Sequence, residues 1–303
     1  MQKTNPPTTS SFSQRHPLVF GLSLILAAVI LLVGIMAAFR FLIMDGKRAG
    51  GLSMSGDKAG VVHIAGMILD GRDVIDWIRE LRDDESVKGV LLRVNSGGGA
   101  VAPSQEMYAA VAKLRAVKPV IAYFETVAAS GAYYASAPAD AIMTNPSAIT
   151  GSIGVLMELP SWKGLMDKLG IDDRTLTSGP FKDAGSPARP MTPQEREYLQ
   201  GIVDDLHEQF VSDVAAGREM DPETVRTLAD GKAMTGRRAL DLGLVDYIGD
   251  YEDAMDMLLK EAGLPPDANV VEGPEYETSW LDDLLSEIHI TVSGAPTLGP
   301  TFR

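Results

Sequence analysis

Pro119-Val120-Ile121-Ala122-Tyr123-Phe124 leads within a few residues to Ala128-Ala129-Ser130-Gly131-Ala132-Tyr133-Tyr134, an apolar run followed by small residues around one serine. A short continuous apolar run reads as a strand buried on both faces. The small-residue cluster after it marks the place where that strand should turn into a helix. Ala128, Ala129, Gly131 and Ala132 would leave the Ser130 hydroxyl unobstructed. A helix starting there would also point unpaired N–H groups at any oxyanion formed beside it. The structural alternative is a serine that caps a tightly packed helix.

Outward from this stretch the alternation repeats. Gly89-Val90-Leu91-Leu92-Arg93-Val94 precedes a helix expected near Ser104–Arg115, and Val61-Val62-His63-Ile64-Ala65 precedes the helically spaced Val74–Leu81. On the other side, Gly151–Leu156 and Arg174–Thr177 read as strands and Pro193 to about Gly217 as the longest helix. Val245–Ile248 and Tyr251–Gly263 give a last strand and helix. Short apolar strands feeding amphipathic helices predict an α/β domain with mostly parallel pairing.

The domain has an expected preface. Leu18–Phe39 is 22 residues without a charge, about 33 Å as a helix and long enough to cross a bilayer core. An uncleaved transmembrane anchor is the expectation, because the apolar part of a cleaved signal peptide is only about 7–15 residues long. Flanking charges leave the topology open, with Lys3 and Arg15 on one side and Arg40, Lys47 and Arg48 on the other. The expected organisation is a disordered tail over 1–16, the anchor over 17–44, a glycine-rich tether over 45–58, the catalytic-type domain over 59–263 and a C-terminal tail over 264–303. A net charge of -14 and a pI near 4.7 argue against a nucleic-acid partner. The absence of cysteine excludes disulfides, thiolate zinc sites and a cysteine nucleophile.

A serine hydroxyl needs a group to take its proton. None of His16, His63, His207 and His289 lies in a loop beside a small-residue motif, and structural or surface roles are expected for them. A lysine can serve instead if desolvation or positive neighbours lower its pKa from about 10.4. Lys182, in Ser178-Gly179-Pro180-Phe181-Lys182-Asp183, is the candidate, although the Asp183 carboxylate would oppose this if it faced the amine. Asn95-Ser96-Gly97-Gly98-Gly99, read as a loop between a strand and a helix, could bring backbone N–H groups to a substrate carbonyl. It lacks the lysine followed by serine or threonine of a phosphate loop. No His and carboxylate pairs stand at metal-ligand spacing, so neither cofactor nor metal is expected.

Asn95–Gly99, Ala129–Tyr134, Thr150–Val155 and Lys182–Thr192, in this order, resemble the motifs of the bacterial signal peptide peptidase A family in its short, membrane-anchored form. The resemblance covers roughly Gly60 to Gly263. It implies a Clp protease/crotonase-like domain of repeated β-β-α type behind a single transmembrane helix. By carry-over, Ser130 is the nucleophile, Lys182 the general base and Ser152 the hydroxyl that orients the lysine. Gly98, with Gly99 beside it, is the implied oxyanion donor. It further implies a homo-oligomeric ring, with an octamer as a candidate size and active sites completed by neighbouring subunits. The implied substrates are hydrophobic peptides such as remnant signal peptides, cut on the extracytoplasmic side of the bacterial inner membrane. Two departures stand out: Gly97 replaces the family's proline, and Ala132 replaces its second glycine after the nucleophile. The rival readings are a catalytically silent membrane-anchored scaffold and an acyl-CoA hydratase-like enzyme.

Overall fold

The computed structural model of the chain describes residues 56–274 together with Leu31, which is helical. The rest of the expected anchor Leu18–Phe39, and the amphipathic stretch read near Trp280–Ile288, lie outside the described residues. Among the described residues no helix is long and apolar enough to cross a membrane.

The strand before Ser130 is central. Strand β1 (Lys58–Ile68), helix α1 (Arg72–Asp83), β2 (Val87–Gly99), α2 (Val101–Arg115), β3 (Val120–Ala129) and α3 (Gly131–Ser136) follow one another as the hydrophobic pattern predicts. Then come β4 (Ala141–Thr144), β5 (Ile149–Gly151), α4 (Lys163–Leu169), α5 (Pro193–Gly217), α6 (Pro222–Leu228) and β6 (Ala233–Thr235). The last elements are α7 (Gly236–Asp241), β7 (Tyr247–Ile248), α8 (Tyr251–Glu261) and β8 (Asn269–Gly273). The sheet runs β6-β5-β3-β2-β1-β8, with β4 branching from β3 and β7 from β4. All pairings are parallel except β5 with β6.

Apolar runs on the central strands have a purpose in this architecture, because both faces of the sheet are covered. Val62, Ile64, Leu92, Val94, Ala122 and Phe124 face the larger core, built with α1, α2, α3 and α5. Their strand neighbours Val61, Leu91, Ile121 and Tyr123 face Ala254, Leu258 and Leu259 of α8. Helix α1 buries Val74, Ile75, Ile78 and Leu81 at helical spacing. Trp77 from the same helix donates its indole N–H to the Val61 carbonyl at 2.9 Å. The sheet extends past residue 263, since β8 pairs with β1 from Lys58 to Val62.

Three readings of local structure differ from the fold. Asn95–Gly99 is not a free loop but the bulged end of β2. Register shifts occur there against β1, between Ala65 and Met67, and against β3, between Val94 and Ser96. The expected strand Gly151–Leu156 is confined to Ile149–Gly151, because Gly151 (φ 77°) and Ser152 (φ 51°) turn the backbone left-handed. Arg174–Thr177 forms no strand, and Leu176 is 97% exposed. A strand needs a ladder partner, and none is offered to that segment among the described residues.

Candidate active site

Strand β3 becomes helix α3 within a single residue, Ser130. Its N–H closes the sheet against β5 by donating to the Gly151 carbonyl (2.8 Å), and its carbonyl accepts the Tyr134 N–H (2.9 Å) that opens the helix. Reversal of chain direction over one residue puts Ser130 at φ 53°, ψ −124°. A residue with a Cβ pays strain on the order of 1–3 kcal/mol for such a conformation. Its side chain makes no capping hydrogen bond, which removes the helix-cap explanation. Such a turn projects a nucleophile from the end of a sheet. Helix α3 is buried along its whole length, with Ala132 accommodated at 0% exposure. It is anchored by the Tyr133 hydroxyl donating to the Leu244 carbonyl (2.8 Å) and by Tyr134 donating to Asp213 Oδ2 (2.5 Å). Tyr134 also stacks on Phe210 of α5, ring centroids 4.4 Å apart.

Ser130 opens into a cavity of about 650 Å³ that Gly98, Gly99, Gly131 and Ser152 also line. Its apolar walls come from Met67, Val101, Val155, Leu156 and Phe210. Gly98 lies against Ser130. A Cβ on it would sit 2.6 Å from the Gly131 nitrogen, 2.8 Å from the Ala129 carbonyl oxygen and 3.0 Å from Ser130 Cβ, and its φ is 92°. Gly131 is equally constrained, since a Cβ there would fall 2.2 Å from Ser104 Oγ. Gly97 has open space where a Cβ would be, so the position that departs from the family motif is sterically free.

The amides of the glycine segment face different ways. The Gly98 N–H donates to Ser96 Oγ at 3.1 Å. The Ala100 N–H donates to the Ile68 carbonyl of β1 at 2.7 Å. Gly99 pairs with Ile68, and its nitrogen lies 3.3 Å from where a Cβ on Gly131 would stand, next to Ser130. Gly131, at the first position of α3, has an N–H without an intrahelical acceptor. The sequence reading anticipated unpaired N–H groups at the start of this helix without naming Gly131, which carries the first of them directly after the serine.

Ser152 reaches the site through the β3–β5 pairing of Ala129 with Gly151. Its N–H donates to the Lys232 carbonyl (2.9 Å) and its hydroxyl to the Gly231 carbonyl (3.3 Å). Lys232 is close only through its backbone. Its amine is paired with Asp230 at 2.5 Å, and that hydrogen bond raises its pKa, which holds it protonated.

Lys182 is exposed in a turn and is not among the residues that line the cavity. Its neighbour Asp183 faces Arg189, accepting from Nε at 3.0 Å, and that bond holds the carboxyl below its ordinary value. Arg189 also donates to Glu195 Oε2 at 2.9 Å. The guanidinium, with the Thr192 N–H behind it, lowers Glu195 to about 2. Glu195 and Thr192 form the capping box that starts α5. The Lys182–Thr192 motif is therefore a tied turn, with Asp183, Arg189 and Glu195 fixing the lysine's carrier to the helix. Of the histidines, His63 pairs with Glu272 on β8 at 2.9 Å, and His207 lies on α5. Neither lines the cavity.

Peptidase family S49 matches residues 112–265. A putative protease of Methanocaldococcus jannaschii is 47% identical over 189 residues, covering 62% of this chain and 61% of that protein. A putative signal peptide peptidase SppA of Enterococcus faecium is 40% identical over 221 residues, 71% of this chain and 64% of its own. A putative protease of Synechocystis is 38% identical over 218 residues, 71% of this chain and 79% of its own. The match thus spans less than two thirds of the first two relatives and more of the third. With the family match over half of its length and the Synechocystis relative covered over most of its own, the chain belongs to peptidase family S49.

Proposed function

We propose that this protein is a membrane-anchored serine endopeptidase using a Ser130/Lys182 dyad on hydrophobic peptides such as remnant signal peptides. The observation that carries the reading is Ser130 itself, in a strained strand-to-helix turn without a capping role and open to a cavity rimmed by Gly98, Gly99 and Gly131. In the reaction, neutral Lys182 takes the Ser130 hydroxyl proton as Oγ bonds to the peptide carbonyl carbon. The carbonyl oxygen becomes an oxyanion, held by the Gly99 and Gly131 N–H groups. Collapse expels the amine, which leaves with the proton from Lys182. Water then attacks the acyl-enzyme, giving a proton to Lys182 that returns to Ser130 as the ester breaks. Ser152 orients the lysine amine, and Gly98 keeps the space over the nucleophile clear.

Lys182 reaches the site in a homo-oligomeric ring of Clp protease/crotonase-like domains, delivered by a neighbouring copy. Support comes from its exposed position and from the apolar surface of the segment that carries it. Helix α4 buries none of its residues, and Leu156, Trp162, Leu165, Leu169 and Leu176 are all exposed. Exposed apolar surface of this extent marks an interaction site. The anchor Leu18–Phe39 would hold the ring at the bacterial inner membrane, domain outward, beside substrates left in the bilayer. The apolar cavity walls fit such peptides.

The test is cleavage of a leucine- and alanine-rich signal-peptide substrate by wild type, Ser130→Ala and Lys182→Ala, with oligomeric state measured for each. Wild type should cut and both variants should lose nearly all activity while remaining folded and assembled. Equal rates in all three would overturn the dyad, and an inert wild type would leave a peptide-binding scaffold as the better reading.

A further inference from the structure

Ser96 is 1% exposed and sits where β2 loses register with both of its neighbours. Ladder bonds are interrupted there, and buried backbone groups must be paired by something else. The Ser96 hydroxyl does so. It accepts the Gly98 N–H at 3.1 Å and donates to the Gly66 carbonyl of β1 at 2.5 Å. Both glycines line the cavity and both are left-handed, Gly66 at φ 68° and Gly98 at φ 92°. A single hydroxyl thus bridges the two peptide units that set the course of the backbone past the nucleophile.

The Gly98–Gly99 peptide, whose orientation decides where the Gly99 N–H points, lies between the Gly97–Gly98 peptide that Ser96 holds and the Gly99–Ala100 peptide that Ile68 holds, and without the first of these glycine's free rotation would leave it loose. Gly97 contributes no restraint, having no side chain and open space around it. We propose that Ser96 is a positioning residue for the acyl-transfer reaction, its hydroxyl clamping Gly98 to Gly66 so that the Gly99 N–H is preset toward the oxyanion above Ser130. This rests on the serine-protease reading given above. Ser96 touches neither substrate nor reacting atom. Its effect passes through the Gly98–Gly99 peptide, and a preset donor differs from a mobile one in the transition state more than in substrate binding.

The experiment compares wild type with Ser96→Ala and Ser96→Cys in the full chain, using the signal-peptide substrate and a peptide aldehyde whose serine adduct reproduces the tetrahedral oxyanion. Removing an oxyanion donor outright costs about 10²–10³-fold in kcat. Loss of its positioning should cost Ser96→Ala about 10–100-fold in kcat with KM within about twofold. Aldehyde affinity should weaken by the same factor as kcat/KM. Ser96→Cys, nearly isosteric but a weaker hydrogen-bonding group, should fall between the two, and it carries the test if the alanine variant does not fold. A normal kcat in the folded variants, or a kcat loss without matching aldehyde weakening, overturns the proposal while leaving the protease reading intact. A wild type that neither cuts the peptide nor binds the aldehyde overturns that reading and this proposal together.

Discussion

Alanine at Gly98 and alanine at Gly97 make the same chemical change one residue apart, and the structure separates their outcomes. At position 98 the new methyl would lie 2.6 Å from the Gly131 nitrogen and 3.0 Å from Ser130 Cβ, on a backbone at φ 92°. Ordinary contact begins near 3.5 Å, so something must give by nearly an ångström, and every near neighbour is backbone or Ser130 itself. Strain of about 1–3 kcal/mol for the left-handed alanine combines with overpacking of about 1–3 kcal/mol. Gly98→Ala should therefore lower stability by about 2–6 kcal/mol. Because an ångström of misplacement at a reacting group costs about 10²-fold, kcat of the folded fraction should fall by at least that factor. Gly97→Ala meets nothing and reduces the freedom of the unfolded chain, so it should raise stability by about 0.4–1 kcal/mol with activity within about twofold of wild type. Initial rates of peptide cleavage, corrected for folded fraction from denaturant curves, compare them. Equal activity in Gly98→Ala and wild type, or equal damage from both substitutions, would refute the placement of Gly98 over Ser130 as the proposed nucleophile.

Cleavage should quicken as pH rises, since the base must be neutral to accept the Ser130 proton; a rate that is flat from mildly acid to alkaline pH counts against a lysine base. Asp183 and Glu195 are both held below their ordinary values, Glu195 from 4.5 to about 2. Their stabilisation is therefore complete above the unfolded values and lost as pH falls through the folded ones. The gap in urea midpoint between wild type and Arg189→Ala should stay level above about pH 5 and close toward about pH 2; a gap that widens on acidification contradicts the network. On the proposed ring, Leu165→Glu, on the helix that buries none of its residues, should give smaller species than wild type in light scattering and lower activity with it. An unchanged mass would count against the proposed interface on this helix, and a monomeric wild type against the ring itself.

Much of the sheet was legible because its determinants are local. The run Gly89–Val94 declared a strand covered on both faces, and alternate residues do go to opposite cores, Leu92 to one and Leu91 to the other. Helix α5 was legible from end to end because its start is written in adjacent residues, Thr192, Pro193 and Glu195. The segments misread are those whose state is set by a distant partner. Arg174–Thr177 has strand-like residues but no ladder to join, and Asn95–Gly99 looks like a loop because glycines mark loops, yet it keeps pairing with β1 through Gly99.

The same division holds at the site. By itself the sequence determined that Ser130 sits at a strand-to-helix junction among residues too small to cover it, and that glycines stand upstream, since both follow from neighbours in the chain. Only the tertiary structure decided that β5 brings Ser152 to that serine and that Gly98 presses on it with its N–H turned to Ser96. It also placed Lys182 on an exposed turn tied by Arg189. Register between parallel strands and the close approach of one backbone segment to another depend on partners outside the local run, as Ala129 with Gly151 and Gly98 with Gly131 do, and no local pattern of side chains encodes them.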